Sequence, residues 1–214
     1  VFWMLVAAFL GMATKYSELV LAVKYRIHTP EPLGGPMVYL SRGAGLPGLA
    51  KVFAICCVIS ALGTGAAAQG SAIAEALTPI VPLPRGLIAL SVSLLLLPIL
   101  RGGGKRIARA SAVLVPIMTV SYLAAGSWVL VTHASEIPSA LALIVSSAME
   151  PLACGGGLIG LLTARTISDG FAKGIFSNEA GMGSAPIAHG SSDCESPCTE
   201  GMLGAVEVFV DTCV

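Results

Sequence analysis

Apolar blocks separated by short polar or Gly/Pro-rich breaks run along the whole chain, at 1–23, 49–77, 86–100, 107–132, 165–190 and 201–214. A helix needs roughly 17–25 residues to cross about 30 Å of hydrocarbon, so blocks of this order predict spanning helices rather than the elements of a soluble core. No stretch keeps the period-two alternation that a membrane β-strand requires, and a barrel is set aside. The block 49–77 is rich in Ala and Gly, which let helices approach closely, and is expected inside a bundle. The block 86–100 is almost all Leu, Ile, Val and Ala and is expected to face lipid. Pro116 predicts a kink in 107–132. Between the first two blocks, three prolines and Gly34-Gly35 mark a turn, followed by a short interfacial helix over 37–41. The region 135–163 is different. Its two short apolar stretches flank Glu150-Pro151 and Gly155-Gly-Gly157, which predicts an extracellular cap or a re-entrant segment.

Composition supports lipid as the main solvent. Of 214 residues, 55% are hydrophobic and only 11% charged, and mean hydropathy is +0.86, well outside the soluble range. Net charge is zero, which removes nucleic acid as an expected partner. Lys24, Arg26, Arg42 and Lys51 cluster between the first two blocks, and Arg101, Lys105, Arg106 and Arg109 between the third and fourth, whereas the intervening loop holds only Arg85. The positive-inside rule therefore places those two basic loops in the cytoplasm. The loop 191–200, with Asp193, Glu195 and Glu200 and no Lys or Arg, fits that topology less well. The chain begins inside one apolar block, without a Met or a basic leader, and stops inside another, so it is read as an internal piece rather than as a chain opening on a signal peptide. The six cysteines imply no disulfide framework.

Against this background polar residues at membrane depth are informative. Ser177-Asn178-Glu179-Ala180-Gly181-Met182-Gly183-Ser184 is expensive in lipid unless protein or ligand satisfies it. An unwound helix answers the problem: its free N–H groups suit a carboxylate, its free carbonyls suit Na⁺ or an ammonium, and Gly181 and Gly183 permit the unwinding. A Gly-rich packing seam with Glu179 paired inside the bundle is the plainer reading. Gln69, between Gly63-Thr64-Gly65 and Gly70-Ser71, is either a substrate ligand or an interhelical hydrogen bond, and both readings stay open. Glu207 and Asp211 put carboxylates in the last block, where an ion path is the default expectation. Lys15 and Glu18, three apart on one helical face, read as a structural pair, with Lys15 snorkelling to a nearby helix end. Cys194 and Cys198 with His189 and Asp193 lack the spacing of a zinc module, so no metal site is expected. Ser184 and His189 make a weak case for a hydrolase, since Gly181-Met-Gly-Ser184 is not a nucleophile elbow.

Three runs carry a resemblance: Gly11-Met-Ala-Thr-Lys-Tyr-Ser-Glu18, Gly34-Gly-Pro-Met37 and Phe176-Ser-Asn-Glu-Ala-Gly-Met-Gly-Ser-Ala-Pro-Ile-Ala-His189. With Gly102-Gly103, Lys105-Arg106-Ile107 and the terminal Asp211-Thr212 in the same order, they resemble the alanine or glycine:cation symporter family over nearly the whole chain. That resemblance implies an all-α integral membrane protein of the LeuT-type inverted-repeat fold, with these blocks as transmembrane helices two to seven and 177–184 as the break of the sixth. It implies import of alanine or glycine with Na⁺, or in some members H⁺, across the cell membrane, with no enzymatic activity and no cofactor. Helix one and helices eight onward would be the partners of this piece, which alone should not transport. Ala66 and Ser71 stand where the family usually has Asn on either side of the Gln, which leaves substrate preference open, and Lys173 replaces a common Arg.

The expected substrate residues are Gln69, Phe176, Ser177, Asn178, Gly181, Met182, Gly183 and Ser184, with backbone of 181–184 on the carboxylate and amine and Phe176 and Met182 bounding the side chain. Glu179, Asp211 and Thr212 are the expected ion-pathway residues. A passive amino acid facilitator or channel would use the same broken helix without ion coupling.

Overall fold

The computed structural model describes residues 1–29, 32–81, 83–153 and 157–213. Among these the fold is helical throughout, apart from an isolated bridge between Ile27 and Leu33. In chain order the elements are α1 (Phe2–Lys24), α2 (Pro36–Arg42), α3 (Pro47–Ser60), a π-helix (Ala61–Ala67), α4 (Ala68–Leu77) and α5 (Arg85–Leu100). There follow α6 (Gly103–Thr132), a 3₁₀ turn (Ala134–Glu136), α7 (Ile137–Ala153), α8 (Gly157–Asn178), α9 (Ser184–His189) and α10 (Pro197–Cys213). Two compact units result, one of 1–59 with 140–214 and one of 60–139.

Several bounds differ from the sequence pattern, for physical reasons. The block 49–77 is helical from 47 to 77 but passes through a π-helical stretch, Ala61–Ala67, that contains Gly63 and Gly65, residues whose backbone is less restricted to α-geometry. In 135–163, α7 runs as one 17-residue helix through Pro151; of the glycine run expected to break it, 155 and 156 fall outside the described residues and Gly157 opens α8. Block 165–190 is two helices, α8 beginning earlier at Gly157 and α9 ending at His189.

The unit 60–139 contains α4, α5 and the whole of α6. Phe2–Lys24 and Arg106–Thr132 are long and apolar enough to cross a membrane, and none of the latter's apolar window is buried. Leu95, Trp128 and Val131 are 74%, 73% and 76% exposed, an outward apolar face too extended for water.

In the other unit α1 is the central helix, packed on α8, α9 and α10. Lipid is as apolar as leucine, so this packing rests on close van der Waals contact and not on escape from water. Glycines make the contact possible. A Cβ at Gly174 would sit 3.0 Å from Ala7 Cβ, and one at Gly204 would sit 2.9 Å from Leu19 Cδ1. Leu19 and Val208 are fully enclosed as a result. The tightest approach joins the turn before α2 to the end of α9, where a Cβ on Gly34 would lie 2.6 Å from Gly190 Cα and 2.9 Å from Ala22 O. Beside it Arg26 donates from Nη1 to Ser192 O (2.8 Å).

Because the atoms facing Gly34 are backbone, Gly34→Ala has nothing to push aside. In the full-length parent protein it should lower the detergent melting temperature, by the equivalent of about 2 kcal/mol or more. Gly48→Ala, in α3 with no atom within 4 Å of its new methyl, should leave the melting temperature unchanged or slightly raised. Equal effects from the two would show that this approach does not govern stability.

Candidate functional site

The helix that begins at Gly157 stops at Asn178 because the next residues take conformations no right-handed helix accommodates. Glu179, Gly181 and Gly183 have φ of 53°, 81° and 80°. Glycine adopts this region freely, whereas at Glu179 it is strained by about 1 kcal/mol or more. Only at Ser184 does helical geometry resume, as the single short helix α9. The two glycines differ in surroundings. A Cβ at Gly183 would meet Phe53 Cζ at 2.5 Å and Pro36 Cγ at 3.0 Å, whereas at Gly181 the nearest atom is Thr14 Cγ2 at 3.7 Å. The Gly34-Gly-Pro-Met37 run and the 176–189 run thus meet in space.

Opening the helix frees backbone groups, and charged side chains from α1 take them. Lys15, 2% exposed, donates from Nζ to the carbonyl of Asn178 (2.9 Å), a cation at a helix C-terminus. Glu18 Oε2 accepts the N–H of Gly181 (3.0 Å). Tyr39 on α2 lies in the same field: burial raises its phenol above the ordinary value, and the Glu18 carboxylate adds to the shift, so it stays neutral.

A second group of contacts joins the end of α8 to the end of α10. Ser177 Oγ donates to Asp211 Oδ2 (2.5 Å), and Thr212 Oγ1 donates to Asn178 Oδ1 (2.9 Å). Within the break, Ser184 Oγ donates to Glu179 Oε2 (2.7 Å). The Asn178 side chain is buried, and its Nδ2 has no hydrogen-bond partner. Next to it a cleft of about 220 Å³ opens between α1 and α8, lined among others by Leu10, Gly11, Thr14, Phe171, Ile175 and Asn178.

Of the residues expected at the site, Ser177, Asn178, Glu179, Gly181, Met182, Gly183, Ser184, Asp211 and Thr212 lie on or against the break. Phe176 and Met182 are 48% and 37% exposed and do not line the cleft. Gln69 belongs to the other unit, where it lines an apolar cleft of about 330 Å³ with Ile73, Ile88 and Leu96.

Lys15 and Glu18 are the residues that sequence reasoning undervalued. The expected snorkelling pair is replaced by separate partners: Lys15 on Asn178 and on Glu207 (3.3 Å), Glu18 on Gly181. Lys15 stands nine residues before the end of α1 at Lys24, about 13 Å of helix, and is enclosed by its neighbours instead of reaching that end. Depth was the available signal, because a lysine so placed needs a polar partner elsewhere. His189 was also missed; its Nδ1 contacts Glu200 Oε1 at 2.6 Å and its Nε2 contacts Glu207 Oε2 at 3.3 Å. Ser184 and His189 thus serve different partners at opposite ends of α9, which leaves the hydrolase reading without a nucleophile–base pair. No group of three or more potential metal-ligating His, Cys, Asp or Glu occurs among the described residues.

Comparison with known proteins gives this geometry a context. The family model described as the sodium:alanine symporter family matches residues 1–214. An uncharacterized transporter of Haemophilus influenzae is 42% identical over all of this chain and 48% of its own length. The sodium/alanine symporter AgcS of Methanococcus maripaludis is 38% identical, again over all of this chain and 48% of its own. The amino-acid carrier protein AlsT of Bacillus subtilis is 35% identical over 99% of this chain and 45% of its own. The chain spans about half the length of the curated relatives it matches. Its break, the polar side chains that satisfy it and the match along its entire length agree, and the chain belongs to the sodium:alanine symporter family, a family of transporters and not of enzymes.

Proposed function

We propose that the full protein is a secondary active symporter that carries a small neutral amino acid, alanine or glycine, together with Na⁺ across the cell membrane. The observation that carries this reading is the break at 179–183, where backbone groups and an unpaired Asn178 Nδ2 stand beside an open cleft. A buried donor without a partner is unfavourable by about 1–3 kcal/mol, and a substrate carboxylate is an acceptor of the right kind. The backbone of 181–184 would take the remaining polar atoms of the amino acid, with the partly exposed Phe176 and Met182 closing on its side chain.

The cation would bind where oxygens gather. Ser177 Oγ, Asn178 Oδ1, Asp211 and Thr212 Oγ1 form such a cluster at the joined ends of α8 and α10, with Glu179 close in sequence, and the negative charge of Asp211 suits Na⁺. H⁺ as the coupling ion is the alternative that Asp211 also allows. In the LeuT-type inverted-repeat arrangement these helices are two to seven, multiply spanning the bilayer, and helix one supplies the other half of the site. Cation binding favours the outward-open form, the amino acid docks on the unwound segment, and a bundle rocks to open inward.

Uptake of labelled alanine and glycine into proteoliposomes holding the full-length parent should depend on an inward Na⁺ gradient. Uptake indifferent to every cation gradient would establish a facilitator instead. Gly183→Ala, strained in φ and blocked by Phe53, should reduce uptake about 100-fold, whereas Gly181→Ala, strained but unobstructed, should lose about tenfold or less. Asp211→Asn should raise the Na⁺ concentration for half-maximal uptake at least about tenfold while leaving the melting temperature within a few degrees, because the residue is exposed. An unchanged Na⁺ dependence would remove Asp211 from the cation site.

A further inference from the structure

Glu207 lies on α10, and the same oxygen, Oε2, contacts two side-chain nitrogens: Lys15 Nζ at 3.3 Å and His189 Nε2 at 3.3 Å. Through these contacts it reaches both half-helices that flank the break, α8 at the end that meets the break and α9 at the end away from it. Lys15 also holds the carbonyl of Asn178, where α8 ends, and His189 is the last residue of α9. His189 in turn reaches Glu200, two turns before Glu207 on the same face of α10 and 3% exposed. One carboxylate of an unbroken helix therefore links both half-helices of the broken one.

Lys15 gives this link a consequence. Its ammonium is enclosed, and an enclosed charge is not left unpaired. If Glu207 withdraws, the carboxylate within electrostatic reach of Lys15 is Glu18, one turn along α1. Glu18 at present holds the N–H of Gly181. By occupying Lys15, Glu207 leaves Glu18 free for Gly181; without Glu207, Lys15 draws Glu18 away and the break loses its anchor on α1. Glu207 is also the most accessible member of the set, with its side chain 52% exposed against 3% for Lys15, so it is the link that movement can break.

We propose that Glu207 is the positioning residue of the unwound segment: it holds the ends of α8 and α9 together through Lys15 and His189 and thereby sets the backbone that receives the amino acid. The inference rests on the reading of 176–184 as the substrate segment. It adds to that reading a residue that touches neither substrate nor cation.

The test uses the full-length protein and compares Glu207→Gln, Glu207→Asp, Lys15→Met and the Glu207→Gln/Lys15→Met double variant, by alanine uptake and by amide hydrogen exchange. Glu207→Gln should raise KM for alanine about tenfold with Vmax changed less than about twofold, and Glu207→Asp should restore most of the affinity. Peptides covering 179–189 should exchange about tenfold faster in Glu207→Gln, with 107–132 unchanged. In the Lys15→Met background Glu207→Gln should add less than it does alone, because only its link to His189 is left to lose. A fall in Vmax with KM unchanged, exchange accelerated equally everywhere, or independent effects of the two substitutions would each overturn the proposal. If the parent shows no uptake at all, the transport reading fails, and the exchange comparison still decides whether Glu207 holds the break.

Discussion

A helix in hydrocarbon cannot leave its hydrogen bonds open, and the rest of this structure is arranged around one place where they are open. Between Asn178 and Ser184 the chain gives up helical pairing. Lipid offers no replacement partners, so the protein supplies them from the neighbouring helices. Lys15 takes a freed carbonyl and Glu18 a freed N–H. α1, packed on α8, α9 and α10, is the helix that carries both side chains to the break. The glycines at 174 and 204 let α8 and α10 close on that same helix.

Much of this was legible in the sequence, and the limits are instructive. The break announced itself through polarity: a run with a carboxylate, an amide and two glycines has no economical place in an intact membrane helix. Polarity set its expected bounds at 177–184, whereas α8 continues through Asn178 and the positive φ angles begin at Glu179. What the run could not reveal was its partners. Spacing along α1 shows that Lys15 and Glu18 share a face, but a shared face says equally that they pair with each other or that both turn to a third element. Distance from the helix end favours the second, and it is a weaker cue than sequence separation. His189 gave no cue at all, because its partners lie on α10, 11 residues on at Glu200 and further still at Glu207. Long-range polar pairing is set by how helices stack, and a single sequence does not encode stacking in any local pattern.

The misread elements share a cause of another kind. Glu150-Pro151 was taken to interrupt the chain, yet α7 continues through Pro151. Pro151 stands two residues before the end of α7 at Ala153, so little helix follows it. The π-helical stretch at Ala61–Ala67 contains Gly63 and Gly65, residues of weak α-preference. In both cases composition identified a weak point and the surrounding helix decided what became of it.

The contact between Gly34 and Gly190 also fixes how α9 is able to move. With Gly190 pressed backbone to backbone against the turn before α2, and Arg26 fastened to Ser192 just beyond, one end of this six-residue helix is pinned. The other end hangs from the two glycines of the break. Such an element is a lever about 9 Å long, with its fulcrum at Gly190 and its far tip at Ser184. A small rotation at the fulcrum displaces the residues of the break most and those near His189 least.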